Sequence, residues 1–193
     1  MDERRDVLVV ADVGAWRAWL DAREHDSDGV WLTLAKKGTT TPTSLTYAQA
    51  LDEALCSGWI DGQTKSVDDA TYLRRFTPRR VRSMWSKRNV EHVGRLVDEG
   101  RMRPRGVEEV ERAKADGRWD AAYAGSATIE VPDDLTAALD RDQAARTMFA
   151  TLNSQNRYAV LHRITTARTP ETRQRRLDRL VAMLGRGETP HPQ

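Results

Sequence analysis

The chain has 193 residues, 39% of them hydrophobic and 31% charged, with a formal net charge of +2. That length makes one large domain or two small ones with a real core, and the near-balance of 31 basic and 29 acidic residues argues against bulk attraction to nucleic acid or a membrane surface. The single cysteine, Cys56, excludes an intramolecular disulfide and a cysteine-rich metal site, and no run reaches the roughly 20 apolar residues of a membrane span.

In chain order, the start Met-Asp-Glu-Arg-Arg-Asp and the short apolar run Val7–Val10 do not make a signal peptide, so the expected compartment is the cytoplasm. Trp16, Trp19 and Leu20 follow helical spacing and predict a short helix over Ala15–Arg23. Val30, Leu32 and Leu34 alternate with Trp31 and Thr33, as in a half-buried strand over Val30–Ala35. Lys37, Gly38 and the Thr/Pro/Ser stretch to residue 44 read as a loop. Thr46 and Gln49 make a capping box for a helix from Thr46 to Cys56, which Gly58 stops. Trp59–Gly62 reads as a short buried strand ending in a turn, and Thr71–Thr77 as another strand that Pro78 ends.

Ser83 is positioned to cap a helix from Met84 to about Glu99, with Val90, Val93 and Val97 inward. Pro104 opens the next helix, which carries Val107 and Val110 and stops at Gly117. Beyond a linker over 124–131 every segment reads as helical. Pro132 opens the first, with Leu135 and Leu139; Ala145, Met148, Phe149 and Leu152 mark the second. Ser154 caps the third, and Thr169-Pro170 starts the last, with Leu177, Leu180, Val181 and Leu184 inward. The expectation is an α+β fold: a small mixed unit with a short sheet over 10–123, then three to four helices over 132–187 and a frayed tail at 188–193.

The densest chemical signal is residues 74–89, where seven of sixteen residues are basic and none is acidic. Like charges crowd together at a cost, so the run points to an external anion or to acids folded against it. A strand that ends at Pro78 and a helix that starts near Ser83 or Ser86 would place Arg75, Arg79, Ser83, Trp85, Ser86 and Asn89 around unpaired helix N–H groups. A phosphate, sulfate or carboxylate fits there, with Trp85 as a stacking wall. Asp61 could orient one of those arginines or act as a general base, and it equally suits a turn cap before Gly62. Lys37 follows a buried strand and either points into the same pocket or is solvated. The competing reading of the whole run is an internal network with Asp61, Asp68, Asp69 or Glu91.

Asp116–Asp120 reads as a helix stop, a packed Trp119 and an Arg118 held between two acids. We take it as a joint between the two units or as a rim of the pocket. Residues 154–186 hold eight arginines and two acids, which offers a second basic face at Arg173–Arg179. His25, His92, His162 and His191 show no metal spacing, and no motif calls for a cofactor.

Four blocks in order, Ala54–Gly62, Arg75–Arg79 with Ser83, Trp85, Ser86 and Asn89, Asp116–Asp120, and Glu171–Arg176, together resemble the YdeI/OmpD-associated family, also called the bacteriocin-protection family. The resemblance spans roughly residues 10–187. It implies a bacterial protein linked to tolerance of bacteriocins or cationic antimicrobial peptides, and it brings no catalytic residues with it. Three functions follow. The first is a binding protein for a small anionic ligand at 74–89, with a part in peptide stress tolerance. The second is a nucleic-acid-binding protein using the arginine clusters 74–88 and 173–179. The third is an enzyme on an anionic substrate with Asp61 as base, for which the chain names no reaction.

Overall fold

The computed structural model describes residues 7–192, so the charged start at residues 1–6 and Gln193 lie outside the described residues. The architecture is α+β, with a four-stranded sheet in the N-terminal half and helices thereafter. Chain contacts divide it into two compact units: residues up to Trp85 with Asn89–Ala121, and Ser86–Arg88 with the chain from Ala122 on. Among the described residues, no helix is long and apolar enough to cross a membrane.

The first unit starts with β1 (Val7–Leu8), α1 (Val13–Arg23), β2 (Val30–Ala35) and α2 (Tyr47–Cys56). The hairpin of β3 (Trp59–Ser66) and β4 (Thr71–Pro78) follows. The sheet order is β1-β2-β4-β3, with β1 parallel to β2 and the other pairs antiparallel. Helix α1 buries Trp16 and Leu20. Trp16 stacks on Trp19 at 5.2 Å and meets Phe76 of β4 at 5.7 Å, which ties the helix to the sheet. Aromatic pairs of this kind add about 0.5–1.5 kcal/mol beyond the area they bury.

Two sequence expectations for the strands change. All six residues of β2 are buried, where alternation predicted a half-buried strand. The Trp59–Gly62 strand does not turn at Gly62 but runs on to Ser66, with a register shift between Asp61 and Thr64. That irregularity matters. Residues three apart in a regular strand face opposite sides, and the bulge instead brings Asp61 and Thr64 to the same arginine of β4.

The capping box of α2 forms as expected, with Thr46 and Gln49 bonded reciprocally. Gly58 ends the helix at φ +70°, and a Cβ there would also meet Glu109 Cγ at 2.8 Å. The next helix, α3, spans Lys87–Asp98 rather than starting at Met84. Ser83 caps no helix; its hydroxyl accepts the N–H of Arg80 at 2.9 Å inside a tight turn. Leu96, not Val97, lies inward, and Val97 is 54% exposed. Pro104 does open α4 (Pro104–Ala115), whose buried face is Gly106, Glu109, Val110 and Ala113, while Val107 is exposed. Helix α4 crosses the end of α2 so closely that a Cβ on Gly106 would sit 2.1 Å from the Cys56 carbonyl oxygen.

The second unit holds α5 (Asp133–Asp140), α6 (Gln143–Thr151), α7 (Ser154–Thr165) and α8 (Pro170–Gly185). Leu135, Leu139, Phe149, Leu161, Ile164, Leu177, Leu180 and Leu184 form its core. The cap of α7 is Asn153, one residue before the Ser154 expected, because the Asn153 side chain accepts the N–H of Asn156. Residues 186–192 are not frayed. The N–H groups of Gly187 and Glu188 close back on Leu184 and Met183, and the chain beyond is held at His191.

Candidate functional site

The structure separates the residues read as one pocket into distinct places. Asp61 sits on the helix-covered face of the hairpin, where it accepts the Tyr47 hydroxyl at 2.9 Å and Arg74 Nε at 3.0 Å. Arg74 also reaches Thr64 across the bulge and lies over the Tyr47 ring at 5.0 Å. Arg75 is the next residue on β4, so it points to the other face, beside Gly29. The acid predicted as a partner of the basic run is therefore a partner, but of Arg74 rather than Arg79.

Arg79 is only 4% exposed. Its guanidinium lies 3.5 Å over the Trp85 ring and donates to the Met84 carbonyl at 3.2 Å. Trp85 is 2% exposed and packs on Trp119 at 4.9 Å. Arg118 binds Asp116 and also the carbonyl of Ser83, at 2.8 Å each. Two guanidiniums thus grip consecutive carbonyls of one turn. A cation over a buried indole and a satisfied carbonyl stabilise the turn from inside the fold. Ser86 makes a lone parallel bridge to Tyr123, and Asn89 is buried on α3. Of the run's cations, Arg80, Arg82, Lys87 and Arg88 are exposed.

Lys37 stands elsewhere in the first unit, in an open cavity of about 570 Å³ lined by Ala35, Lys36, Lys37, Gly38, Thr39, Thr46, Tyr47, Ala48 and Tyr72. No acid lines it. Lys36 Nζ is committed to the Asp68 carbonyl at 2.5 Å, whereas Lys37 is exposed. The first turn of α2 forms one wall. Thr46 takes the N–H of Gln49, and Tyr47 and Ala48 lie between them in that first turn. Tyr47 links this wall to Asp61 and Arg74 behind it. Burial pushes the Tyr72 hydroxyl above its usual range, with Arg74 opposing.

A third cluster escaped the sequence reading. Glu53 of α2 is 1% exposed and takes Arg17 at 2.7 Å, Arg101 at 2.8 Å and Arg103 at 2.8 Å. Burial alone would push its carboxyl up; the bonds from Arg17, Arg101 and Arg103 overcome that and hold it at about 2. Asp52 beside it takes His92 and Arg95. Its helical neighbours gave one signal, an acid at an apolar-face position of α2. The arginines come from residues 36 to 50 positions away, which spacing does not reveal. Burial, with Glu53 nearby, pushes the Cys56 thiol up to about 11. In the second unit Arg173 pairs with Asp134 at 2.6 Å and Arg176 donates to the Arg163 carbonyl at 2.7 Å, so half of the Arg173–Arg179 cluster is engaged internally.

Comparison with known proteins gives two family matches. Residues 8–109 match the family described as a domain of unknown function, DUF8412. Residues 128–187 match the one described as Bacteriocin-protection, YdeI or OmpD-Associated. The blocks at 54–62 and 75–89 fall in the first match and the block at 171–176 in the second. No curated protein and no solved structure matches the chain at a significant level.

Proposed function

We propose that this chain, which belongs to the DUF8412 family through residues 8–109 and to the YdeI/OmpD-associated, bacteriocin-protection family through residues 128–187, binds a small anionic ligand in the cavity at the start of α2. One observation carries the reading: an open space of about 570 Å³ whose lining, among the described residues, has two lysines, two tyrosines and a helix start, and no carboxylate. Lys37 supplies an exposed cation, and the first turn of α2 adds the positive end of the helix dipole. Tyr47 and Tyr72 supply flat walls. A carboxylate or phosphate on a planar body suits this combination better than a bare ion. The Asp61–Arg74 pair acts behind the wall by fixing Tyr47. The part in tolerance of bacteriocins or antimicrobial peptides belongs to the same proposal and rests on the family description.

The test is a thermal-shift and calorimetric screen of wild type and Lys37→Glu against inorganic phosphate, sulfate, benzoate, nucleoside monophosphates and short oligonucleotides. A ligand at 100 times its dissociation constant stabilises by about 2.7 kcal/mol. The expected result is stabilisation by an aromatic carboxylate or a monophosphate that Lys37→Glu removes. Stabilisation that Lys37→Glu leaves intact sinks the assignment, as does the absence of any stabilising anion. Oligonucleotide binding with a steep salt dependence would favour a nucleic-acid function instead.

A further inference from the structure

Asn156 lies in the first turn of α7 and is 0% exposed. Burying a carboxamide costs free energy unless its hydrogen bonds are made. Here they are made to a main chain. The Asn156 side-chain oxygen accepts the N–H of His191 at 2.8 Å, and its amide donates to the His191 carbonyl at 3.1 Å. This two-point contact reads one residue's backbone and ignores its side chain. The segment that fills it is Thr189-Pro190-His191-Pro192. Thr189 and His191 each precede a proline, which biases both to extended backbone. Pro190 and Pro192 have no N–H, so His191 carries the one main-chain donor between them. The Thr189 hydroxyl donates to the same carbonyl at 2.7 Å, which braces the extended shape. The turn after α8, with Gly187 at φ +73°, aims the segment back at α7.

A leucine at position 156 would leave the His191 N–H and carbonyl without these two partners, so the carboxamide is what ties the strap down. An asparagine can exchange its bonds with water or with another backbone when the strap leaves. We propose that Asn156 marks a receptor for an extended, proline-flanked peptide, and that residues 189–192 fill it in cis as an internal competitor. The occupant in trans is a segment of another protein with one N–H between two prolines. The side chain at that position is not selected.

The test uses the full chain with His191→Pro, which removes the N–H and keeps the extended backbone, and with His191→Ala, which keeps the N–H and removes the imidazole. The probe is a fluorescent acetyl-Thr-Pro-His-Pro-Gln-amide read by polarisation, with circular dichroism as the control for folding. The peptide is expected to bind the His191→Pro chain about tenfold more tightly than wild type or His191→Ala, since one hydrogen bond of the competitor is gone. Asn156→Asp in the His191→Pro chain keeps the acceptor, loses the donor and should weaken that binding about tenfold. The peptide with proline in place of its histidine should not bind. Equal affinity for wild type and His191→Pro, indifference to Asn156→Asp, or equal binding of the all-proline peptide would each overturn the proposal. A concentration-dependent dimer with exchanged tails would also overturn it, because the occupant would then be a second copy.

Discussion

The strand end at Lys36–Lys37 and the turn at Arg79–Trp85 are both basic, and they use their cations in opposite ways. In the turn, Arg79 is sealed over an indole and bonded to a carbonyl of its own loop, so its charge serves the fold. At the strand end, Lys37 faces open space beside a helix start, with no acid in the lining among the described residues. Charge density along the chain therefore marks the turn, while available space marks the strand end. A ligand needs the second.

Four substitutions break or sharpen this contrast. The largest effect is expected for Trp85→Ala, which removes the ring beneath Arg79 and leaves a cavity. Urea denaturation should register a loss of about 3–5 kcal/mol, with anion affinity at the α2 cavity unchanged. Loss of affinity in a folded Trp85→Ala protein would mean that the two regions are one site. Next is Glu53→Gln, which leaves three arginines facing a neutral amide and should cost about 3 kcal/mol. The same group sets an acid limb. Its folded pKa of about 2 lies below the ordinary 4.5, so its stabilisation is complete above pH 4.5 and is lost as pH falls toward 2. Thermal melts across that window should fall steeply for wild type and be flatter for Glu53→Gln.

Asp61→Asn comes third. It weakens the charged bonds to Arg74 and should cost about 1.5–3 kcal/mol while loosening Tyr47, so ligand affinity falls with stability. The smallest change in stability belongs to Lys37→Glu, within about 0.5 kcal/mol, yet ligand affinity should drop tenfold or more. A Lys37→Glu protein that binds as wild type would return the turn at 79–85 to first place.

Much of the fold is legible in local chemistry. Thr46 with Gln49, Pro104, Thr169-Pro170 and Gly58 each declare a helix end through their own backbone needs, and the structure places ends there. The helical spacing of Leu177, Leu180 and Leu184 likewise identifies the buried face of α8. Position 83 misleads because a serine suits a tight turn as well as a helix cap, and the turn wins once Arg118 takes its carbonyl. The β3 bulge is unreadable in advance, since its consequence is a face change that depends on which arginine lies opposite. Of the candidate site, the sequence names Lys37 and Asp61 as residues near strand ends, but Tyr47, which lines the cavity with Lys37 and bonds Asp61, reads in sequence as one more apolar-face position of α2. The Glu53 cluster assembles side chains from α1, α2 and the segment between α3 and α4, and long-range pairings of that kind leave no trace in spacing.

The closeness of α4 to the end of α2 has a practical side. With its thiol pushed up to about 11 and its residue 1% exposed beneath the glycine at 106, Cys56 has almost no thiolate at neutral pH and no path for a reagent. The natural cysteine can therefore stay in place during site-directed labelling. A second cysteine introduced at exposed Val81 or Val107 would alkylate alone, giving a one-dye protein for watching the turn or α4 without first rebuilding the core.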